Sequence, residues 1–290
     1  MTTYEASAPT GGGRIRKVRE RHNDKLTIVL CVLSLLVIIP LYLGVTMALK
    51  TDHQAAAGNG LSLPNPFKFS NFQAAWDLVN YPRALSMSLI IAIIAVIGEL
   101  VISSMAAYAI VRNWDRKAFR YSYFYLLGAM FIPFPVVALP QVKLTAILHL
   151  DNPAGVAILH ILFGLSFNIL LYSAFLRSVP YELEESARLD GCTTWQTFRR
   201  LIVPLLGPMN ATVGIFAFIA SWNDYMMPSL ITASPHDQTL PVVQQIFSTS
   251  LTTNYNVAFA SYLMAMLPTL IVYFFAQKWV LSGVTQGAIK

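Results

Sequence analysis

The chain has 290 residues, of which 56% are hydrophobic and only 12% are charged, and its mean hydropathy is +0.56. A soluble domain carries roughly 25% charged residues, so this composition excludes an ordinary soluble protein and indicates an integral membrane protein. The formal net charge of +6 does not require a nucleic-acid partner, because basic residues also accumulate on one side of membrane proteins.

Six apolar runs are long enough to cross a bilayer as helices, which takes about 20 residues. We therefore predict an all-α, polytopic membrane protein with six transmembrane helices. The first run is longer than the 7–15 residues of a signal-peptide core, and no convincing cleavage site follows it, so we interpret it as a membrane helix. The predicted spans are residues 26–49, 85–111, 121–144, 154–176, 205–230 and 257–281.

Residues 1–25 precede the first span and contain six basic residues and a run of three glycines. We expect a disordered cytoplasmic arm that is attracted to anionic lipid headgroups. After the first span, residues 51–84 are predicted to form an extracytoplasmic loop rich in proline, asparagine and phenylalanine.

Polar residues inside the predicted spans are candidate functional residues. Glu99 lies near the middle of the second span, where an ionised carboxylate costs about 2.5–3.5 kcal/mol. We expect it to face the bundle interior, a cavity or a partner, or to stay protonated. It has either a structural polar contact or a place along a membrane pathway. Asn168 in the fourth span is expected to form an interhelical hydrogen bond, and pathway contact is the less favoured alternative.

The third predicted span carries Pro133, Pro135 and Pro140. Proline removes a backbone donor and kinks a helix, and broken helices often line transport pathways. A loosely packed kink without a function is the alternative interpretation.

Residues 178–204 form a polar, charge-dense segment between the fourth and fifth spans, with the pattern of two short helices joined at a glycine. Pro180 suits a first helical position, and the glutamates that follow it suit the positive end of a helix dipole. Gly191 suits the left-handed position just after a helix end.

The second short helix of this segment is predicted to begin at a capping box formed by Thr193 and Gln196. Trp195, Phe198 and Ile202 lie at positions i, i+3 and i+7 of this helix. They are predicted to form one apolar ridge, presented to a docking partner.

The outward end of the fifth span combines aromatic rings with an amide and a carboxylate, which are the groups that hold sugars. An interfacial aromatic anchor with a capping acid is the alternative. The residues are Trp222, Asn223, Asp224 and Tyr225. Residues 231–256 then form a second predicted outer loop, with a short helix through 242–247.

Lysine and arginine residues set the predicted orientation, because cytoplasmic loops carry an excess of them. Most lie in the arm, the connection after the second span, the 178–204 segment and the C-terminal end, so both termini and this segment are predicted to be cytoplasmic. The basic residues on the opposite side are Lys50, Lys68, Arg83 and Lys143.

Catalytic and cofactor-binding motifs are absent from the sequence. The two cysteines, Cys31 and Cys192, lie in a span and in a cytoplasmic segment, so they are not expected to pair, and neither has metal-ligand spacing. No phosphate-binding loop occurs, since no glycine is followed by lysine. We expect this chain to bind no metal or cofactor and to have no catalytic residues.

The 178–204 segment resembles the cytoplasmic coupling loop of ABC importer permeases. The family pattern is Glu-Ala-Ala, three residues, Gly, nine residues and an Ile-x-Leu-Pro-like close. Glu185, Ala187, Gly191 and Pro204 match it at the same spacing, and Ser186 replaces the middle alanine.

The resemblance continues from about residue 26 to the C-terminus. Residues 106–109 with Arg112 are similar to the matching family segment at the end of the second span, and residues 222–224 to the one at the end of the fifth. Residues 277–290 are similar to the closing segment of the maltose-type, carbohydrate-transporting subfamily.

This resemblance implies the type I ABC importer permease fold in a prokaryotic cell membrane, and an oligosaccharide or disaccharide as substrate. The implied partners are a second homologous permease in a heterodimer, a pair of ATPase subunits that bind ATP and Mg, and an extracytoplasmic solute-binding protein. Residues 85–281 would form a core of five helices. Residues 26–84 would form a peripheral first span with its outer loop, and residues 282–290 a cytoplasmic tail.

The resemblance also implies roles for individual residues. The residues implied in ATPase coupling are Glu184, Glu185, Ala187, Asp190, Gly191, Trp195, Phe198 and Pro204. The candidate substrate-pathway residues are Trp222, Asn223, Asp224, Tyr225, Glu99 and Asn168.

Two other function classes remain as alternatives. A secondary active sugar symporter would use Glu99 and Asp224 as ion sites, but such carriers usually contain internal repeats, and we see none. An intramembrane enzyme would need paired catalytic residues at one depth, and the sequence offers no such pair.

Overall fold

The computed structural model describes residues 24–249 and 254–288, and every regular element in these ranges is helical. The predicted all-α class is confirmed. Most of the predicted basic arm, residues 1–23, and the end of the predicted tail, residues 289–290, lie outside the described residues.

The first seven helices contain the first four predicted spans. They are α1 (Asp24–Ala48), α2 (Asp52–Ala56), α3 (Ser70–Leu78), α4 (Tyr81–Arg112), α5 (Lys117–Ala129), α6 (Phe134–Ile147) and α7 (Pro153–Leu176). The remaining elements are α8 (Glu182–Leu189), α9 (Thr194–Thr197), a π-helix (Phe198–Ile202), α10 (Val203–Leu205), α11 (Gly207–Asn223), α12 (Met226–Ile231), a 3-10 turn (Pro235–Asp237), α13 (Leu240–Val243), α14 (Ile246–Thr249) and α15 (Tyr255–Ala288).

The chain divides after Leu43 into two compact units. In the first unit, the described residues 24–43 form most of α1, and their apolar side chains are exposed, with Val37 exposed by 77%. A helix that is apolar all round suits a lipid environment. The second unit begins at Gly44 and contains the other described helices.

Four of the described helices are long and apolar enough to cross a membrane: α1, α4, α7 and α15. Two bent helix pairs pass the same test together, namely α5 with α6 and the run Thr194–Leu205 with α11. If each bent pair counts as one span, the described part of the chain has up to six spans. The second pair covers residues 194–223, so it overlaps the end of the 178–204 segment and does not coincide with the predicted span 205–230.

The third predicted span is not one kinked helix. It consists of α5 and α6, whose axes differ by 103°. The break lies at Pro133, which has extended backbone angles and precedes a second proline at Pro135. Proline disfavours a helical conformation of the residue before it, so Pro133 stops α5 from continuing. Pro135 lies in the first turn of α6, where proline is tolerated.

The fifth predicted span, residues 205–230, is also interrupted. The helix α11 ends at Asn223, because Asp224 has extended backbone angles. The Oδ1 atom of Asp224 accepts hydrogen bonds from the backbone N–H groups of Met226 and Met227 and so starts α12. Side-chain capping of this kind satisfies the free N–H groups of a new helix.

The helix α4 is at the centre of the second unit and packs closely against α7 and α11. Its N-terminal half contributes Tyr81, Ala84 and Ala92 to a first core, which also contains residues of α3, α11, α13 and α15. Its C-terminal half contributes Tyr108 to a second core, which also contains residues of α7, the π-helix and α11. One helix therefore joins the two main cores of the described residues.

The predicted outer loops are partly helical. Residues 51–84 contain α2, α3 and the start of α4. The short helix predicted at 242–247 is replaced by α13 and α14, which are separated by a turn at Gln244. The reason is local: Pro241 suits the first turn of a helix, and α13 therefore begins earlier, at Leu240.

A buried polar network connects the ends of α1, α3 and α15 near these segments. The Asn71 side chain donates to the backbone carbonyls of Ala48 and Lys50. The Asn256 side chain donates to Asn71 at 3.0 Å and to Asp52 at 2.8 Å. Hydrogen bonds from Lys68 and Asn256 lower the pKa of Asp52 below its ordinary value.

Candidate functional site

The helix α8 opens the 178–204 segment and ends as the sequence predicts. Its first turn carries three glutamates. Gly191 has a φ of +83°, and the N–H groups of Gly191 and Cys192 donate to the carbonyls of Arg188 and Ala187. This pair of bonds is a Schellman motif, which requires a left-handed residue at the position of Gly191. Pro180 does not occupy the predicted first helical position. The Tyr181 carbonyl accepts the first helical hydrogen bonds, so α8 begins at Glu182, two residues after Pro180.

Glu184 does not lie on the surface of α8, because its side chain is completely buried. Its Oε1 atom accepts a hydrogen bond from Arg112 Nε at 2.6 Å, and its Oε2 atom accepts one from the Tyr108 hydroxyl at 2.8 Å. Both donors belong to α4. Glu184 therefore anchors the segment within this chain and has no surface with which to contact a partner.

The second short helix also confirms its predicted start. Thr193 and Gln196 form a reciprocal capping box at the beginning of α9. The chain then widens into the π-helix, in which the Val203 N–H donates to the Phe198 carbonyl five residues earlier. Such π-turns are rare and occur often at functional sites.

The predicted docking ridge is wrong for two of its three residues. Phe198 and Ile202 are 6% and 0% exposed and belong to the second core, whereas Trp195 is 56% exposed. Phe198 packs against Tyr108, with 5.2 Å between the ring centroids. Helical spacing identified one apolar face correctly, but that face is covered by α4 and not offered to a partner.

The surface that remains on the 178–204 segment is formed by other residues. Leu189 is 90% exposed at the end of α8, close in sequence to the left-handed turn. Among the sequence-predicted residues, Glu185, Asp190, Gly191, Trp195 and Pro204 are exposed and Ala187 is half-buried. The surface of the segment therefore combines carboxylates with the exposed apolar groups of Leu189 and Trp195.

The polar residues of the second and fourth spans meet each other. Asn168 Nδ2 donates to Glu99 Oε2 at 2.5 Å, which confirms the predicted interhelical bond of Asn168. Both residues are buried between α4 and α7, 4% and 2% exposed. Gly164 permits this contact, because a Cβ atom there would overlap the Glu99 carboxyl group. The structure thus favours the structural interpretation of Glu99 over a pathway role.

The four residues at the end of α11 do not form one cluster. Trp222 is 3% exposed, stacks on Phe218 and donates from its indole N–H to the Ala265 carbonyl. Asp224 caps α12, and its Oδ2 atom is 3.5 Å from His160 Nε2. Only Asn223 and Tyr225 are exposed. The capping-acid alternative therefore describes the role of Asp224.

A cavity of about 210 Å³ lies beside this end of α11. It is lined by Trp222 and Asn223 of α11, by Gln244 after α13, and by Tyr262 of α15 among others. The lining contains amides and aromatic side chains.

The contacts of Glu184 with α4 and of His160 with Asp224 could not be predicted from the sequence. Tyr108 and Arg112 lie in a segment that matched the family pattern, but nothing in their spacing pointed to Glu184, 72 residues away from Arg112 in the chain. His160 carried no signal either, because a single histidine in an apolar run has no pattern. Both contacts arise from helix packing between distant parts of the chain.

Comparisons with known proteins agree with this architecture. A protein family described as "Binding-protein-dependent transport system inner membrane component" matches residues 99–286. The chain is 34% identical to the "Probable starch degradation products transport system permease protein AmyC" of Thermoanaerobacterium thermosulfurigenes, over 94% of this chain and 100% of that protein. It is 32% identical to the "Multiple sugar-binding transport system permease protein MsmG" of Streptococcus mutans, over 91% of this chain and 95% of that protein.

Solved structures share the fold. A chain from a bacterial ABC transporter involved in the import of the acidic polysaccharide alginate matches with a TM-score of 0.78 at 22% identity, covering 88% of this chain and 95% of that one. A chain of the inward-facing MetNI methionine ABC transporter matches with a TM-score of 0.57 at 16% identity, covering 72% and 96%. At these identities the likeness concerns the fold alone.

Proposed function

The chain belongs to the family of binding-protein-dependent transport system inner membrane components, and from this premise we propose that its transported substrate is a carbohydrate. As a member of this family it is a multi-pass membrane permease subunit of an ABC importer and not an enzyme. The symporter alternative is not favoured. The observation that carries the carbohydrate proposal is the similarity to AmyC over 94% of this chain and the full length of that protein.

An oligosaccharide or a disaccharide fits the relatives best. The printed names of other similar permeases include transport of melibiose, raffinose and stachyose in Bacillus subtilis, at 28% identity over 95% of this chain. These substrates differ from one another but all consist of two or more sugar units.

The 178–204 segment is proposed to couple this chain to an ATPase dimer, which binds ATP and Mg. Its exposed surface supports this role, because Leu189 and Trp195 are apolar side chains held on short, capped helices. Larger exposed apolar patches mark interaction sites, and these two side chains are proposed to contribute to one. Glu185 lies on the same surface and supplies a charge for a basic partner. Glu184, Phe198 and Ile202 would support the surface from inside.

The complete importer is proposed to contain a second, homologous permease as heterodimer partner and an extracytoplasmic solute-binding protein. A related alginate transporter has been solved in complex with a substrate-bound periplasmic protein. With the basic segments facing inward, both termini and the 178–204 segment are cytoplasmic, and α2, α3, α13 and α14 face outward, where the binding protein docks.

The substrate pathway is proposed to pass the end of α11 that carries Asn223 and Tyr225. Both side chains are exposed, and the adjoining cavity contains further amide and aromatic groups. Glu99, Asn168 and Trp222 are left out of the revised pathway, because each is buried in a contact within the chain.

Two measurements test this function. The melting temperature of the cognate solute-binding protein is recorded with maltodextrins, raffinose and trehalose, and at least one of them is expected to raise it. Sugar uptake by cells is then compared after removal of the ATPase and after addition of an uncoupler. We expect uptake to stop without the ATPase. Uptake that persists without the ATPase and collapses only with the uncoupler contradicts the proposal.

A further inference from the structure

The 178–204 segment is joined covalently to α7 and α11, yet its polar anchors lie on α4. Glu184 of α8 accepts from both Tyr108 and Arg112, and Arg112 also donates to the Val179 carbonyl at the start of the segment at 3.4 Å. The Arg112 and Glu184 side chains are only 12% and 0% exposed. Charge-assisted hydrogen bonds in such a dry site are short and directional, so they fix the position of α8 relative to α4.

Tyr108 holds the second half of the segment as well. Its ring packs on Phe198 of the π-helix, and Phe198 in turn packs on the exposed Trp195, with ring centroids 5.7 Å apart. The same residue therefore contacts α8 through its hydroxyl group and the π-helix through its ring. As a result, α4 contacts the segment on both sides of Gly191.

The other end of α4 is attached to the segment that contains the 3-10 turn and α13. Arg83 Nε donates to the His236 carbonyl at 2.5 Å, and Ser88 Oγ accepts from the Leu240 N–H at 2.8 Å. The Tyr81 hydroxyl donates to the Met264 carbonyl of α15. With 32 residues and a rise of 1.5 Å each, α4 is about 48 Å long, so it connects the two ends of the second unit as one continuous helix.

On the basis of these contacts we propose that α4 is the element that transmits movement between the 178–204 segment and the outward segment around α13, and that Tyr108 and Arg112 are its positioning residues. This inference rests on the proposed function, in which the 178–204 segment meets the ATPase. Movement of the segment must move α4, because Glu184 cannot leave Arg112 without becoming an unpaired buried charge. The contacts of Arg83 and Ser88 then carry the movement to α13.

The test uses the complete importer in proteoliposomes, with ATP hydrolysis measured with and without substrate-loaded binding protein. Glu184→Gln is expected to keep basal hydrolysis. The stimulation of hydrolysis by the loaded binding protein is expected to fall about tenfold or more, within the 5–150-fold range of ordinary coupling. Tyr108→Phe removes one hydrogen bond and is expected to lose about fivefold. Asp115→Asn is the matched control, because Asp115 is an exposed carboxylate just after α4, and stimulation should not change.

A further variant, Ser88→Ala, tests the opposite end of the helix. Ser88→Ala lies 20 residues from Tyr108, about 30 Å along α4, and is expected to reduce stimulation in the same way. A merely structural role of the contacts that Tyr108 and Arg112 make with Glu184 would not produce matching losses of stimulation at both ends with basal hydrolysis kept. Unchanged stimulation in assembled Glu184→Gln and Ser88→Ala importers overturns the inference.

A double variant keeps the test decisive if a single variant fails to assemble. In Arg112→Gln/Glu184→Gln no charge is left unpaired, so it should assemble better and recover more stimulation than Arg112→Gln alone. Strictly additive losses in the double variant overturn the proposed role of the Arg112–Glu184 pair. If the wild-type importer shows no stimulation at all, both the proposed function and the inference fall, whereas wild-type stimulation with unaffected variants overturns the inference alone.

Discussion

Among individual residues, Glu99 and Gly164 are directly linked, because the Glu99 carboxyl group fills the space that Gly164 leaves free. Glu99 is buried between two helices and bonded to Asn168, and Gly164 leaves the space that the carboxyl group fills. We predict that Gly164→Ala destabilises the protein by about 1–3 kcal/mol, the usual cost of adding an atom to a packed core. The melting temperature of the purified importer in detergent measures this change.

The same substitution in a Glu99→Ala background provides the control. With the carboxyl group absent, Gly164→Ala should cost little. Gly128→Ala should also have no destabilising effect, because no heavy atom lies within 4 Å of a Cβ placed there. Equal losses in the presence and absence of the Glu99 carboxyl group would show that the contact is not responsible.

The carboxyl group of Asp52 predicts how the stability of the protein changes with pH. Because Lys68 and Asn256 donate to it, its pKa in the folded protein lies below its unfolded value. Its contribution to stability is therefore complete above the unfolded pKa, about 3.9, and is lost as the pH falls through the folded pKa. We predict that wild type is slightly more stable than Asp52→Asn at pH 7 and that the difference disappears in strong acid. The difference is small because the Asp52 side chain is 66% exposed. A difference in melting temperature that grows with acidification contradicts this account.

Among the helical elements, the turn between α8 and α9 depends on one left-handed residue. Gly191→Val forces a β-branched side chain into a φ of +83°, at a cost of about 1–2 kcal/mol or more, and should change the angle between the two short helices. We predict that this variant inserts into the membrane but does not transport sugar in a cell uptake assay. Gly191→Asn should keep more activity, since asparagine tolerates this conformation better. Wild-type sugar uptake by Gly191→Val would contradict this explanation.

The same elements show what local sequence patterns can and cannot predict. Caps and the left-handed glycine depend on neighbouring residues, so Thr193, Gln196 and Gly191 were predicted correctly. The direction of an apolar helix face depends on a distant helix, so the pattern of Phe198 and Ile202 was recognised but its partner, α4, was not. Likewise, the sequence indicated three glutamates in the first turn of α8 but could not identify Glu184 as the one that turns inward.

For the whole chain, composition and apolar runs were sufficient for the class and for a count of up to six spans, because crossing a bilayer imposes strong constraints on length and polarity. The two broken spans were less predictable. Pro133 signalled a distortion but not its size, and an apolar-run analysis does not detect the extended backbone of Asp224 that ends α11. Three of the six pathway candidates, Glu99, Asn168 and Trp222, are buried in contacts within the chain for a similar reason. Trp222 and Glu99 have suitable chemistry, but packing buries both within the chain.

We propose that the exposed part of the 178–204 segment contacts an ATPase subunit, and crosslinking can detect this contact. A photoreactive amino acid is placed at Leu189, which is 90% exposed, in the complete importer in its native membrane, and the crosslinked products are identified by mass spectrometry. The same group at Ile97, an exposed position in the middle of α4, serves as the comparison. The account predicts an adduct with the ATPase from Leu189 and none from Ile97. Adducts from Leu189 with only lipid or this chain would contradict it.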